Sequence, residues 1–167
     1  MLSVDKIKKI SHLSLDVKNF LRLYPWKNCM PASYSKLYKN INECKVAIVS
    51  SAGLVIKNNH EPFNSKIKMG DSSFRIIPSN TASKNLIECH KSKTFDHSGI
   101  KNNPFSAMPI PHLLDLAENG FIGSVNKRHI SLMGSIINPS KLIKETIPQI
   151  IDIFKQDKVD IVIFIPV

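Results

Sequence analysis

Residues 45–53 read KVAIVSSAG and residues 159–167 read VDIVIFIPV, and these two stretches decide the fold. Both are short, apolar runs rich in β-branched residues, and the first closes with small residues and a glycine. Such runs are typical of strands buried on both faces of a parallel sheet, with a tight turn after the first. The sequence therefore predicts an α/β fold with an open, mostly parallel sheet of the Rossmann or flavodoxin-like type.

The rest of the chain supplies further strands and helices for such a sheet. Apolar residues at helical spacing predict a helix over 110–119, stopped by Gly120, and another over 138–157. Pro148 interrupts the second pattern, so we expect a kink there or a new helix capped by Thr146. Short strands are expected at 73–77 and 129–134, separated by long loops rich in turn formers. Loops of this length are uncommon in a compact domain unless they have a function.

The N-terminal quarter differs in character from the rest. Residues 1–26 carry a weak amphipathic pattern that predicts a helix, and residues 27–43 read as a polar linker with Pro31 and several asparagines. We therefore divide the chain into an N-terminal helix and linker, 1–43, and the N-terminal part of an α/β domain, 44–167.

Charge is the feature that first suggests an anionic partner. The formal net charge is +10, but twenty of the 23 cations are lysine, whereas phosphate recognition favours the arginine fork. The excess is concentrated before residue 46, and the abundance of lysine, isoleucine (23) and asparagine (14) indicates an AT-rich coding bias. We expect no nucleic-acid partner.

Several other classes of protein are not supported. The longest apolar run, 161–167, is too short to span a membrane, and no secretory signal is visible. Three widely spaced cysteines form no disulfide framework, which favours a reducing cytoplasm. No His pair at metal-ligand spacing and no glycine-rich nucleotide motif occurs, so we expect neither a metal nor a nucleotide cofactor. We interpret Cys89 and Cys44 as packed residues rather than nucleophiles.

Five residues are candidates for a site. Arg75 could hold a substrate carboxylate through its bidentate fork, or form a structural ion pair with Asp71 or another acid. His97 could act in acid/base chemistry or bind substrate, or make a backbone hydrogen bond, and Asp96 beside it would act separately. Arg128 and His129 could face the site, although they lie at the start of their strand rather than at its better-placed end.

A set of short blocks, in order and at consistent spacing, resembles selenoprotein B of the glycine/sarcosine/betaine/D-proline reductase family over about residue 20 to the end. The blocks are VAIVSSAGL (46–54), EPF (61–63), GDSSFRIIP (70–78), HKS (90–92), FDHSGI (95–100), GS (123–124), RH (128–129), MGSI (133–136) and IPV (165–167).

The resemblance implies reductive cleavage of a C–N bond α to a carboxylate, with a dithiol system regenerating the enzyme. In that family the final Pro-Val is followed directly by a redox motif of selenocysteine or cysteine, two residues and cysteine. The resemblance thus predicts that the sequence lacks its nucleophile and is incomplete at the C-terminus. Either a UGA codon was read as a stop, or the sequence was truncated. The resemblance also implies a partner subunit that carries a pyruvoyl group, a thiol redox protein and a small amino acid or methylated amine as substrate.

Two alternatives stay open at this point. The chain could be a non-catalytic binding or regulatory module with the same fold, or a basic protein associated with nucleic acid. A strand at 160–167 without a following helix leaves apolar surface uncovered, so we expect poor solubility or a homo-oligomer.

Overall fold

A computed structural model describes residues 13–23, 35–90, 92 and 97–167. The chain divides into two compact units, Met1–Lys36 and Leu37–Val167. The described part of the first unit contains helix α1, Leu15–Leu23, which confirms the helix predicted there. Asp16 in its first turn and Arg22 in its last turn carry the charges that the helix dipole favours.

The second unit alternates strands and helices along the chain. Its strands are β1 (Lys45–Ser50), β2 (Leu54–Ile56), β3 (Phe74–Pro78), β4 (Leu86–Glu88), β5 (Ser124–Val125), β6 (Arg128–Leu132) and β7 (Ile161–Ile165). Its α-helices are α2 (Ser98–Asn102), α3 (Ile110–Glu118) and α4 (Ile147–Gln156). Three 3₁₀ turns lie at Ile41–Glu43, Ser83–Asn85 and Pro104–Ser106, and a π-helical turn lies at Leu142–Thr146. None of the helices within the described ranges is long and apolar enough to cross a membrane.

Strand β1 is the centre of the main sheet. It pairs in parallel with β7 along one edge and with β5 and β6 along the other, and β3 adds an antiparallel strand outside β6. Strands β2 and β4 form a separate antiparallel pair. This arrangement confirms the predicted α/β fold with an open, mostly parallel sheet.

The pairing of β1 with β5 and β6 contains a bulge. Lys45 lies opposite Ser124, but Val49 lies opposite Ile130, so the β5–β6 side holds two extra residues. Within this gap the backbone N–H of Ile48 donates to His129 Nδ1 at 3.1 Å instead of to a carbonyl. The imidazole thereby satisfies a buried donor that the ladder would leave unpaired.

Alternate residues of β1 contact two different cores. Val46 and Ile48 pack with Ile110 and Leu113 of α3 on one face, in a cluster that also contains Ile100 of α2. Ala47 and Val49 pack on the other face with Ile130, Ile150 and Phe154, the last two from α4. Burial of β1 on both faces explains why its sequence is apolar throughout.

The break at Pro148 takes the form of a change in helix type. The π-helical turn Leu142–Thr146 precedes α4, which begins at Ile147 with Pro148 in its first turn. Residues 140–156 are helical without a break, so the wider π-helical turn lies directly before Pro148, which has no N–H to donate to that turn. We expected a kink or a new helix capped by Thr146. The helix continues through this point, and the capping is wrong, because Thr146 Oγ1 donates instead to the carbonyl of Ser72 at 2.7 Å.

Strand β7 forms where the sequence predicts it, but it is not buried on both faces. Among the described residues only β1 pairs with it, and Ile163 and Phe164 are 37% and 73% exposed. An apolar groove of about 480 Å³ runs between β7 and α4, lined by residues including Phe164 and Ile151. The face of β7 that carries Phe164, and the edge of β7 that does not pair with β1, are therefore open apolar surface within the described chain.

This open surface predicts that Phe164 promotes self-association. Replacing it by lysine places a charge on an uncovered strand, which is a common protection of sheet edges. We expect Phe164→Lys to raise several-fold the concentration at which the protein stays monodisperse, measured by light scattering. The free energy of unfolding should change by less than about 1 kcal/mol, because the side chain is mostly exposed.

Phe121→Lys is the matched control, since Phe121 is 65% exposed but lies in the turn after α3, outside β7 and the groove. Equal effects of the two substitutions would show that β7 has no special part in association.

Candidate functional site

The carboxyl ends of β1, β6 and β7 meet at one edge of the sheet. The N–H of Ser51 donates to the carbonyl of Ile165 at 3.0 Å, and the N–H of Val167 donates to Ser51 Oγ at 2.9 Å. The N–H of Gly53 donates to the carbonyl of Leu132 at 2.8 Å, which ties the turn after β1 to the end of β6. Functional loops of open α/β sheets lie at this edge.

Five residues at or beside this edge form what we call the carboxyl-end cluster: Ser51, Glu88, His90, His97 and Gly134. Glu88 ends β4, and His90 follows it into the neighbourhood of β1 and β6. The segment is held there because the N–H of Cys89 donates to the carbonyl of Gly53 at 2.9 Å.

His90 packs between two glycines that both have positive φ. A Cβ on Gly53 (φ 66°) would lie 3.0 Å from the backbone nitrogen of His90. A Cβ on Gly134 (φ 67°) would lie 2.8 Å from His90 Nε2 and 2.8 Å from the carbonyl oxygen of Ser51. Glycine is therefore required at both positions by conformation and by space.

The hydrogen bonds of His90 fix its tautomer. Nδ1 accepts the N–H of Ser92 at 3.0 Å, so the proton of the neutral ring is on Nε2. Burial lowers the pKa of His90 below its ordinary value, while the charge of Glu88 opposes this effect and that of His97 adds to it. The ring is therefore a neutral Nε2–H donor at neutral pH.

Glu88 and His97 are in hydrogen-bond contact beside this ring. His97 Nδ1 lies 2.9 Å from Glu88 Oε2, and His97 Nε2 lies 2.7 Å from the carbonyl oxygen of Ser92. The other oxygen of Glu88 accepts the backbone N–H of His90. The pair thus orients the His90 backbone, and His97 makes both a carboxylate contact and a backbone contact.

The described cysteines are packed rather than activated. Cys44 is fully buried and its Sγ lies 3.2 Å from the carbonyl oxygen of Asn40. Cys89 is half-buried against Val55, Phe63 and Met133. Burial raises the pKa of the Cys89 thiol and the charge of Glu88 raises it further, so Cys89 is a poor nucleophile near neutral pH.

Arg75 is held by backbone groups rather than by an acid. Its Nε donates to the carbonyl of Glu61 at 2.8 Å, and its terminal nitrogens donate to Ser73 Oγ and to the carbonyls of Phe74 and Pro62. The guanidinium carbon also lies 4.3 Å from the centre of the Phe63 ring. This arrangement differs from the structural ion pair with Asp71 considered above, and it stabilises the loop that contains Glu61 and Pro62.

Asp71 organises its own loop. Its carboxylate accepts the N–H of Asn64 at 2.8 Å and both the N–H and the hydroxyl of Ser73, at 2.9 and 2.7 Å. Burial alone would raise the pKa of Asp71, but the bonds from Ser73 and Asn64 hold it below its ordinary value. A polar cleft of about 390 Å³ lies between this loop and the π-helical turn.

Arg128 lies at the amino end of β6, opposite the carboxyl-end cluster. Its Nε and one terminal nitrogen bind the two oxygens of Asp157 at 2.8 and 2.6 Å, and Asn126 Nδ2 adds a third bond at 2.9 Å. The bond from Arg128 holds the pKa of Asp157 below its ordinary value. This bidentate pair joins β6 to the end of α4.

His129 is fully buried in the sheet and accepts the N–H of Ile48, as described above. Burial lowers its pKa to about 4. Asp96 lies outside the described residues. In the described ranges, no group of three His, Cys, Asp or Glu side chains is placed to hold a metal ion.

The structure thus brings His97 to the carboxyl-end cluster and places Arg75, Arg128 and His129 elsewhere. Glu88 and His90 are members of the cluster that the sequence reasoning did not select. The block HKS at 90–92 was the available signal for His90, and its contact with the SSAG segment at the end of β1 (50–53) depends on tertiary structure.

Gly134→Ala tests the close approach of His90 to the sheet edge. We expect a loss of about 2–4 kcal/mol in the free energy of unfolding, from positive φ together with the two 2.8 Å contacts, measured by urea denaturation. Gly120→Ala is the matched control, because Gly120 has φ 72° but no atom within 4 Å of an added Cβ. Equal losses in the two variants would show that only backbone strain is involved.

His129 should make stability depend on pH. Its pKa is about 4 when folded and about 6.5 when unfolded, so the unfolded chain binds the extra proton between these values. Stability is therefore retained above about pH 6.5 and decreases by roughly 3 kcal/mol as the pH falls to 4. His129→Asn keeps an acceptor near Nδ1 without titrating, so urea unfolding from pH 7 to 4 should show a shallower slope. An unchanged slope would contradict this role.

Comparison with known proteins identifies the family of this chain. The family model described as glycine/sarcosine/betaine reductase selenoprotein B matches residues 10–166. The D-proline reductase subunit gamma of Acetoanaerobium sticklandii is 29% identical over 133 residues, which cover 80% of this chain and 52% of that protein. The chain thus spans about half the length of the curated relative that it matches. No solved structure matches the chain significantly.

The family match covers nearly the whole chain, including the strands β1, β6 and β7 whose ends form the cluster. The chain therefore belongs to the glycine/sarcosine/betaine reductase selenoprotein B family.

Proposed function

We propose that this chain is the amino-terminal part of a reductase subunit that cleaves a C–N bond α to a carboxylate. The observation that carries the proposal is the family match over residues 10–166. In the reaction the C–N bond is broken, the carbon and the nitrogen each gain one hydrogen, and a dithiol is oxidised to a disulfide. The nitrogen is released as ammonia or an amine, except that with proline it stays in the ring-opened product. The similarity to a D-proline reductase subunit supports this reaction class.

The nucleophile belongs, in this proposal, directly after Val167. The resemblance implies selenocysteine or cysteine at that position, and Val167 is bound to the sheet edge through Ser51. A selenol ionises well below the pKa of about 8.5 of a free thiol, so it is anionic at neutral pH. The described thiols do not replace it, because Cys44 is buried and burial raises the pKa of Cys89. We therefore propose that the 167-residue form is inactive by itself.

The substrate is a small amino acid or methylated amine, with glycine, sarcosine, betaine and proline as the candidates. Arg75 is a weak candidate for the carboxylate, because its guanidinium already donates to Glu61, Pro62 and Ser73. The activating pyruvoyl group of the family belongs to a partner subunit, so no residue of this chain is assigned to hold it. That subunit and a thiol redox protein are the proposed partners, in the cytoplasm.

A non-catalytic binding or regulatory module is the second candidate. It is favoured by the absence of an activated thiol within the described ranges. The DNA sequence of the gene distinguishes the reductase subunit from the non-catalytic module. The reductase proposal expects an in-frame TGA after the Val167 codon, followed by codons for further family sequence. A stop codon followed by unrelated sequence would favour the module.

The decisive measurement is activity of the complete protein. We expect the version with cysteine at the position after Val167, combined with its partner subunit, to cleave at least one of the four candidate substrates with dithiothreitol as donor. Mass spectrometry should detect the C–N cleavage product in proportion to thiol oxidised. Serine at the same position should reduce the rate at least about a thousandfold, as removal of a nucleophile does. If none of the four substrates gave a product, the reductase assignment would be wrong.

A further inference from the structure

We infer that the polar cleft between the loop at 67–74 and the helical stretch at 141–149 binds a small amino acid as its zwitterion. Such a ligand carries a carboxylate and a positively charged nitrogen on the same carbon. The lining of the cleft offers one counterpart to each of these charges. The site needs no catalytic step, and it is separate from the reacting position that the proposed function requires.

The cleft lies at the same edge of the sheet as the carboxyl-end cluster. Phe74 lines the cleft and begins β3, where it pairs with Leu132 at the carboxyl end of β6, because these two strands are antiparallel. Strands β6 and β1 lie between β3 and β7, which corresponds to roughly 14 Å at about 4.8 Å per strand. The cleft is thus a distinct part of the edge at which open α/β sheets carry functional loops.

The helical wall of the cleft supplies one cation and one anion. Lys141 and Glu145 are four residues apart in the helical stretch, and both line the cleft. Their side chains form no ion pair with each other, and neither has a hydrogen-bond partner among the described residues. Lysine before glutamate is the weaker order for a pair at this spacing. Lys141 is therefore available to a ligand carboxylate and Glu145 to a ligand ammonium group.

The loop wall supplies a buried hydroxyl group. Ser72 lines the cleft and is only 8% exposed, yet no described residue forms a hydrogen bond with its side chain. Buried polar side chains in native proteins nearly always have a partner. A hydroxyl group donates to a carboxylate and accepts from an ammonium group, so either end of the ligand would satisfy Ser72.

The carboxylate of Asp71 also lines the cleft, but the protein already uses its charge. It accepts bonds from Asn64 and Ser73, and the positive charge of Arg75 acts on it as well. The charges left for a ligand are therefore one positive and one negative. A simple cation or a simple anion would leave one of them unmatched.

The two walls are fixed in relation to each other. Thr146 Oγ1 donates to the carbonyl of Ser72 at 2.7 Å, which joins the helix to the loop. The carbonyl of Met69 accepts the N–H groups of Ile137 and Asn138, at 2.9 and 3.3 Å, which joins the loop to the segment before the helix. A cleft that is formed before binding loses little conformational entropy when a ligand enters.

The size and the apolar part of the cleft indicate which amino acid suits it. Its volume of about 390 Å³ is within the range of small-molecule sites. Ile67 and Phe74 give it an apolar side, so a ligand with a hydrocarbon ring buries more apolar surface than glycine does. Proline has such a ring and both charges. Because proline is also a candidate substrate, the choice of this probe, but not the site itself, rests on the proposed function.

The test is a titration of the 167-residue protein with three compounds that share a five-membered ring. At neutral pH proline carries both charges, cyclopentanecarboxylate only the negative one and pyrrolidine only the positive one. Saturation-transfer NMR of the ligand signals measures binding. We expect at least one enantiomer of proline to bind with a Kd of about 1 mM, and the other two compounds to bind about fivefold more weakly or less.

Charge variants distinguish a zwitterion site from a site for a simple ion. Lys141→Gln should weaken the binding of proline and of cyclopentanecarboxylate about fivefold, because both compounds lose a cationic contact. Glu145→Gln should weaken proline by about the same factor but strengthen cyclopentanecarboxylate, because a repulsion between like charges is removed. Lys144→Gln is the matched control, since Lys144 is exposed and next to Glu145 but does not line the cleft. It should leave all three affinities unchanged.

Ser72→Ala separates binding from stability. Because its hydroxyl group has no partner in the described chain, its removal should leave the midpoint of urea unfolding unchanged or slightly higher. The affinity for proline should nevertheless fall about threefold or more. A lower midpoint with an unchanged affinity would show that the hydroxyl group is structural and would contradict the site.

The inference is overturned if neither enantiomer of proline binds, if the three compounds bind equally, or if the affinity for proline survives both charge substitutions. These measurements do not involve the nucleophile. If proline binds as expected but the complete protein has no reductase activity, the proposed function fails and the site stands. If the complete protein is active but proline does not bind in the cleft, only the site fails.

Discussion

The pairing of β1 along both edges is the constraint on which the rest of the structure depends. Its six residues are flanked by β7 on one side and by β5 and β6 on the other, and their side chains enter the two cores alternately. Because β1, β6 and β7 are parallel, their carboxyl ends meet at one edge. The turn after β1 can therefore bind the end of β6 through Gly53 and the end of β7 through Ser51. The position of the carboxyl-end cluster follows from this alignment.

The two ends of the sheet are stabilised by different interactions. At the amino end, Asp160 binds Lys39 Nζ at 2.7 Å and the N–H of Lys45 at 2.9 Å, while Asp157 holds Arg128. These charged groups join neighbouring strands and helix ends, so part of the basic composition serves local structure. At the carboxyl end, small residues allow close approach and polar groups are half-buried.

Local sequence patterns predicted the strands and helices well, but they predicted the tertiary contacts of individual side chains less well. The apolar run at 45–50 and the helical spacing at 110–118 required no tertiary information, because a strand or helix buried against a core shows its period directly. Thr146 was assigned a capping role by its position before Pro148, yet its hydroxyl binds Ser72, 74 residues away in the sequence. The sequence of β7 is as apolar as that of β1, yet Phe164 is 73% exposed, because a strand's sequence does not reveal how many neighbours cover it.

The α/β class, the main strands and helices and, through ordered blocks, the family can be predicted from the amino-acid sequence without tertiary information. Those properties are encoded by periodicity and by residues near one another in the chain. Only the tertiary structure decided which polar residues meet: it joined His90 and Glu88 to the turn after β1, and it separated Arg128 and His129 from that edge. The physical reason is that strand order and register, set by packing across the whole sheet, place distant segments in contact, and no local pattern records that choice.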